Sequence, residues 1–186
     1  CPSDHLIEDT DEFTRVVAEG DRLARDGDRL VTFGISPDRP ATGYGYIEAG
    51  APIGSDGKPA GSGKTGMFEV RRFHEKPDID KAREYLARGG FYWNSGIFMW
   101  KPSVFLDAWA RFLPGGKGPL EAIERAFATG GDREIVESEY RKMPSVSVDY
   151  GILEKSSEVA VIPADLGWND VGSWDALGEI LGLDAD

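Results

Sequence analysis

Behind Asp9-Thr10, the apolar residues Phe13, Val16, Val17 and Leu23 recur at three-to-four-residue intervals until Gly27. That spacing predicts a helix with one buried face, capped at Asp9-Thr10 and stopped by glycine. The pattern then shortens to apolar runs over 30–35 and 44–49, each following Gly or Asp, which predict strands. Residues 68–73 alternate and predict another strand, with His74-Glu75-Lys76-Pro77 at its end; 78–87 predict a helix capped by Asp78 and stopped at Gly89-Gly90. Residues 92–100 are apolar around a polar centre, Asn94-Ser95-Gly96, and Pro102 opens a helix with Val104, Phe105, Ala108, Trp109 and Phe112 on its core face. Further helices are expected over 120–128, 133–142 and 173–181, the last capped by Ser173. Strands are expected over 146–148 and 159–162, with a helical turn near 152–155. Helices set between short strands predict a layered α/β domain.

Residues 50–66 break the pattern with repeated glycines, Pro52 and Pro59, and predict a connection between two strands. Their tail, Gly61-Ser62-Gly63-Lys64-Thr65, invites a phosphate-loop reading. That motif needs a glycine where Lys58 stands and a strand leading in, so the plain connection is the better reading.

The totals narrow the functional classes. With 186 residues, 40% of them hydrophobic, the chain can bury one core or form a large part of a bigger domain. A net charge of −12, with scattered basic residues, excludes a nucleic-acid surface, which needs clustered Lys and Arg. It does not exclude phosphorylated small molecules, because a bridging metal reverses the repulsion between carboxylate and phosphate. The single cysteine, Cys1, forms no intrachain disulfide, so a reducing, cytoplasmic setting is expected. No apolar run approaches the roughly 20 residues needed to cross a bilayer, so no membrane association is expected. Pro2-Ser3-Asp4-His5 opens the chain with no strand before it, which suggests an N-terminally truncated domain.

Four segments carry candidate chemistry. Glu75-Lys76-Pro77 sets an acid beside a base at a strand end; a carboxylate suits vicinal sugar hydroxyls and an ammonium suits a phosphate, although the pair also reads as a solvated surface pair. Adjacent residues on an extended segment face opposite ways, so no mutual salt bridge is required. Asn94 either is satisfied by backbone groups or reaches into a pocket, where its amide both donates and accepts. Asp170 either caps the helix near Ser173 or aims at a cation, with Trp168 and Trp174 shielding the site. Asp4 is a similar turn residue, with His5 as its candidate neighbour. His5 and His74 are the only histidines, and no Gly-x-Ser-x-Gly elbow accompanies them, so covalent catalysis is not expected. Two carboxylates brought together by folding instead suit a hard divalent cation on a phosphate.

In order, Pro2-Ser3-Asp4-His5-Leu6-Ile7, Thr42-Gly43-Tyr44-Gly45-Tyr46-Ile47, Phe73-His74-Glu75-Lys76-Pro77, Tyr92-Trp93-Asn94-Ser95-Gly96-Ile97-Phe98, Ser147-Val148-Asp149-Tyr150-Gly151 and Trp168-Asn169-Asp170-Val171-Gly172-Ser173-Trp174 closely resemble the mannose-1-phosphate guanylyltransferase family. The resemblance implies a Rossmann-like α/β nucleotidyltransferase domain, with a mixed sheet flanked by helices. Residues 1–186 would be its sugar-phosphate- and metal-binding part, a single incomplete domain. It implies GTP and mannose 1-phosphate as substrates and Mg²⁺ as cofactor, held by Asp4 and Asp170, which are also the catalytic pair. Glu75 and Asn94 would bind mannose hydroxyls, Gly43 and Gly45 would let the backbone approach the sugar, Lys76 would meet the sugar phosphate, and Asp149 would line the pocket.

Members of that family begin with a Gly-rich loop containing an essential Arg, followed by a Pro-Lys, and neither occurs here. This chain alone is therefore expected to be inactive. The rivals are a pyrophosphorylase for another sugar, such as glucose 1-phosphate with dTTP or UTP, and a non-catalytic sugar-phosphate-binding module. Homo-oligomers are allowed for, because strand edges left unpaired favour association.

Overall fold

The chain opens with two extended residues, β1 (Leu6–Ile7), and turns helical at Asp9, whose carboxylate accepts the Glu12 amide at 2.8 Å. A side-chain cap of this kind stabilises a helix by about 1 kcal/mol. Helix α1 (Thr10–Gly27) buries Val16, Leu23 and Ala24 and ends at Asp28, which adopts the left-handed conformation just past the expected glycine stop. The computed structural model describes residues 1–53 and 66–181. They fall into two compact units, Cys1–Trp100 with Ser157–Asp186, and Lys101–Ser156.

In the first unit, β2 (Leu30–Ile35) is buried at every position, as a central strand covered on both faces must be. Next come β3 (Tyr46–Pro52), β4 (Phe68–His74), α2 (Ile79–Arg88), β5 (Phe91–Met99) and, after the second unit, β6 (Val159–Ala164). The sheet is mixed: β2 runs parallel to β6 and antiparallel to β5, while β3 lies antiparallel between β5 and β4. A short antiparallel pairing of β4 with β6, Phe68 opposite Val161, closes the five strands into a ring. Val16, Leu23 and Ala24 of α1 and Ala82 and Tyr85 of α2 join the sheet residues Val31, Phe33, Trp93 and Ile162 in one core. The α/β expectation holds. The ring closure was not expected; it rests on two residue pairs, Phe68 with Val161 and Glu69 with Ala160, and the rest of β4 and β6 pairs with no strand on that side among the described residues.

A second, two-stranded ladder joins the ends of this unit. β7 (Trp168–Asn169) pairs antiparallel with β1, Leu6 opposite Asn169 and Ile7 opposite Trp168, and the Glu8 and Asp9 amides donate to the Leu166 carbonyl, each at 3.0 Å. Helix α6 (Trp174–Leu181) follows, with Ser173 Oγ accepting the Ala176 amide at 3.1 Å, the cap expected from the sequence.

The second unit is helical: α3 (Pro102–Phe112), α4 (Lys117–Ala128) and α5 (Arg133–Tyr140). The stripe of Val104, Phe105, Ala108, Trp109 and Phe112 is the less exposed face of α3, although none of these residues is fully buried. The expected strand over 146–148 does not form. Ser147 turns the backbone instead: its carbonyl accepts the Gly151 amide at 2.8 Å and its hydroxyl the Tyr150 amide at 3.4 Å, leading into a π-helical turn at Asp149–Leu153. A serine that bonds neighbouring backbone in this way competes with a strand ladder. The phosphate-loop reading at Gly61-Ser62-Gly63-Lys64-Thr65 lies outside the described residues.

Candidate functional site

Strand register assembles the first half of the site. Tyr46 lies opposite His74 on one side and Trp93 on the other. One residue beyond that row the three antiparallel strands present Gly45, Glu75 and Asn94 side by side. The Asn94 backbone N–H donates to the Gly45 carbonyl at 2.8 Å. A Cβ built on Gly45 would stand 2.7 Å from Glu75 Oε2 and 3.7 Å from the Asn94 Cβ, so only glycine leaves room for the carboxylate there.

Asn94 is aimed by a bulge. The β2–β5 pairing passes from Thr32 opposite Phe98 to Gly34 opposite Asn94, leaving extra residues on β5 around Gly96, at φ +70°. Bulges of this kind re-aim a side chain where a strand meets a site. Asn94 Oδ1 accepts the Gly96 amide at 3.2 Å and the buried Thr32 hydroxyl at 3.4 Å, while Ser95 Oγ donates to the Phe33 carbonyl at 2.7 Å. The polar centre of this apolar segment is thus a hydrogen-bonded kink, which fixes the amide at the sheet end.

His74, just before Glu75, anchors the strand end. Its Nδ1 lies 3.1 Å from the Tyr85 hydroxyl and its Nε2 3.5 Å from Glu48 Oε2. Burial raises Tyr85 above the ordinary phenol value, which keeps that hydroxyl neutral. Lys76 adopts φ +40°, and its Nζ lies 3.7 Å from Glu75 Oε1. The turn therefore brings together two side chains that a purely extended segment would have separated. Their pair is largely exposed on the lysine side, so it is worth only about 0–1 kcal/mol and leaves the ammonium available to another anion.

The β1–β7 ladder sets the second half. With Leu6 opposite Asn169, the next residues outward are His5 and Asp170, and Asp4 follows His5. Both candidate carboxylates therefore leave the same end of one two-stranded ladder. Pro2 belongs to the same neighbourhood as the bulge, its Cγ 3.7 Å from where a Gly96 Cβ would stand. His5, the neighbour of Asp4, accepts the Trp168 indole N–H on its Nδ1 at 3.0 Å and so ties the two segments together. Asp170 sits in a tight turn in which Asn169 Oδ1 accepts the Val171 amide at 2.8 Å and Asp170 Oδ1 the Gly172 amide at 3.3 Å. Val171 pays for that turn with φ +50°, a strained conformation for a β-branched residue that costs on the order of 1–3 kcal/mol. The capping alternative for Asp170 gives way to this arrangement, because the helix cap is Ser173. Trp174 shields nothing, being 88% exposed, whereas Trp168 packs edge-on against His5 and Tyr44, with ring centroids 5.3 Å away in each case.

Beside Asp170 lies a cavity of about 330 Å³, lined by Arg39, Gly43, Tyr44, Asp170, Gly172 and Ser173. A Cβ on Gly43 would meet nothing within 4 Å. Two lining residues were missed by sequence reasoning. The Tyr44 hydroxyl donates to Asp170 Oδ1 at 3.0 Å, and the Arg39 guanidinium lies 5.2 Å from the Trp93 ring centroid and 3.1 Å from Asp38 Oδ1. An arginine preceding Pro40 and a tyrosine between two glycines carry no local signal of a site. Asp149 belongs to the other unit, where it opens the π-helical turn.

Among the described residues no three His, Cys, Asp or Glu side chains form a ready metal cage. The donor set still fits Mg²⁺, which is commonly held by one or two carboxylates, with water and substrate phosphate completing its shell. Asp170 suits that use: Oδ1 takes two hydrogen bonds, which fix the carboxylate.

Comparison with known proteins gives this arrangement a context. The nucleotidyl transferase family model matches residues 1–185. The xanthan biosynthesis protein XanB of Xanthomonas campestris pv. campestris (strain B100) is 41% identical over 184 residues, which is 96% of this chain and 36% of that protein. A mannose-1-phosphate guanylyltransferase of Escherichia coli K12 is 40% identical over 182 residues, again 96% of this chain and 36% of that protein. The chain thus spans little more than a third of the length of these relatives. Among solved structures, one from Thermus thermophilus, described as a mannose-1-phosphate geranyltransferase, superposes with a TM-score of 0.79 at 32% identity, covering 98% of this chain and 49% of the other.

Proposed function

Since the chain belongs to the nucleotidyl transferase family and has its mixed α/β fold, we propose that this protein makes GDP-mannose and pyrophosphate from GTP and mannose 1-phosphate. A phosphate oxygen of mannose 1-phosphate attacks the α-phosphorus of GTP, the bond from that phosphorus to the α–β bridging oxygen breaks, and pyrophosphate leaves. The observation that carries the reading is the row Gly45, Glu75 and Asn94, a glycine held open beside a carboxylate and an amide. Such a row suits a sugar ring: Glu75 accepts from neighbouring hydroxyls, the Asn94 amide supplies a donor and the bare Gly45 backbone admits the ring. Lys76 exchanges its weak pairing with Glu75 for the sugar phosphate, and Arg39 gives the adjoining cavity a second cation. Asp4 and Asp170 would hold Mg²⁺, which supplies charge neutralisation on the phosphoryl oxygens. No residue acts as a nucleophile; the protein contributes position, holding the attacking oxygen in line.

A turnover assay tests the reading. The product of the complete reading frame should form GDP-mannose from GTP and mannose 1-phosphate in the presence of Mg²⁺, and these 186 residues alone should not. Equal turnover by both would overturn the expectation for the shorter chain, and preference for glucose 1-phosphate with dTTP or UTP would overturn the substrate assignment. Mannose 1-phosphate binding without turnover in the longer protein would favour a non-catalytic module.

A further inference from the structure

The Tyr44 hydroxyl sits 3.0 Å from Asp170 Oδ1 across 126 residues of sequence, and the Gly172 amide reaches the same oxygen at 3.3 Å. The tyrosine ring is held on two sides, 4.9 Å from the Trp93 ring centroid and 5.3 Å from that of Trp168. Trp168 in turn donates to His5, the neighbour of Asp4. A Cβ at Gly172 would fall 2.9 Å from Asp170 Oδ2, so the turn also leaves that second oxygen its space.

We propose that Tyr44 is a positioning residue for the cation site: its hydroxyl fixes the Asp170 carboxylate with Oδ2 presented to a divalent cation. The same residue links that site to the sugar row through the segment Gly43-Tyr44-Gly45. This rests on the assignment of Asp170 as a metal ligand. A partner that orients a ligating carboxylate tunes metal affinity, and its loss characteristically costs about 10- to 100-fold. Tyr44 acts on the ion through Asp170, so its effect appears as affinity for the ion.

Mn²⁺ titration of the full chain, followed by the electron paramagnetic resonance of the free ion, tests this. Tyr44→Phe keeps the ring and both indole contacts, so its melting temperature should stay near that of the wild type while Mn²⁺ affinity falls about tenfold or more. Asp170→Asn should abolish binding. In the wild type, Mg²⁺ should also perturb a tyrosine ultraviolet band, a change absent in Asp170→Asn. Wild-type Mn²⁺ affinity in Tyr44→Phe, alongside lost binding in Asp170→Asn, would overturn the role of Tyr44. A Mg²⁺ titration that leaves the tyrosine band unmoved would do the same. Equal Mn²⁺ binding by wild type and Asp170→Asn would instead remove the metal assignment beneath it.

Discussion

Gly45 shows how a single position encodes a requirement that its neighbours impose. A methyl group there would meet Glu75 Oε2 at 2.7 Å, and the glutamate is the side chain that must move, since its tip is the flexible partner. Gly45→Ala should therefore fold with near-normal stability but bind mannose 1-phosphate more weakly. Loss of one hydrogen bond to a charged group, about 1.5–3 kcal/mol, corresponds to roughly 10- to 150-fold in the dissociation constant measured by calorimetry. Unchanged affinity would mean that Glu75 does not face the sugar. Sequence alone made Glu75 a candidate as an acid at a strand end and Asn94 one as the polar centre of an apolar segment, whereas Gly45 entered only through the family resemblance. Tyr44 escaped it: a tyrosine between glycines reads as one more aromatic, and its partner Asp170 lies 126 residues away, beyond the reach of any local period.

At the scale of elements, the kink in β5 does most to place the site. Gly96, at φ +70°, lets the strand bulge so that Asn94 returns to the row while Ser95 bonds the Phe33 carbonyl. Gly96→Ala forces a side chain into the left-handed region at about 1–2 kcal/mol, so urea denaturation should show a lower midpoint with an unchanged slope. Because the same change disturbs the Gly96 amide that holds Asn94 Oδ1, sugar-phosphate affinity should fall with it. Wild-type stability and affinity together would contradict the role given to the bulge. Helices α1, α2 and α6 were legible because their caps, Asp9, Asp78 and Ser173, and their apolar spacing agree. Two failures have physical causes. β1 and β7 are two residues each, too short to show a period of two, and exist only as each other's partners. Ser147 satisfied its neighbours' amides locally and kept 146–148 out of a sheet.

For the whole molecule, the sequence made the α/β class plain, but not the way the sheet closes. Ring closure depends on the short pairing of β4 with β6 around Phe68 and Val161, and apolar residues at those positions would read the same in an open sheet. The joining of the two ends of the first unit was equally hidden, yet it underlies the functional proposal, because the β1–β7 ladder leads Asp4 and Asp170 off the same end of one strand pair. The most direct measurement is the anomalous diffraction of Mn²⁺ in crystals of the full chain grown with GDP-mannose. The account predicts one metal peak within ligand distance of the carboxylates of both Asp4 and Asp170, beside the product's phosphates. A metal bound to neither carboxylate, with the sugar away from Glu75 and Asn94, would contradict it.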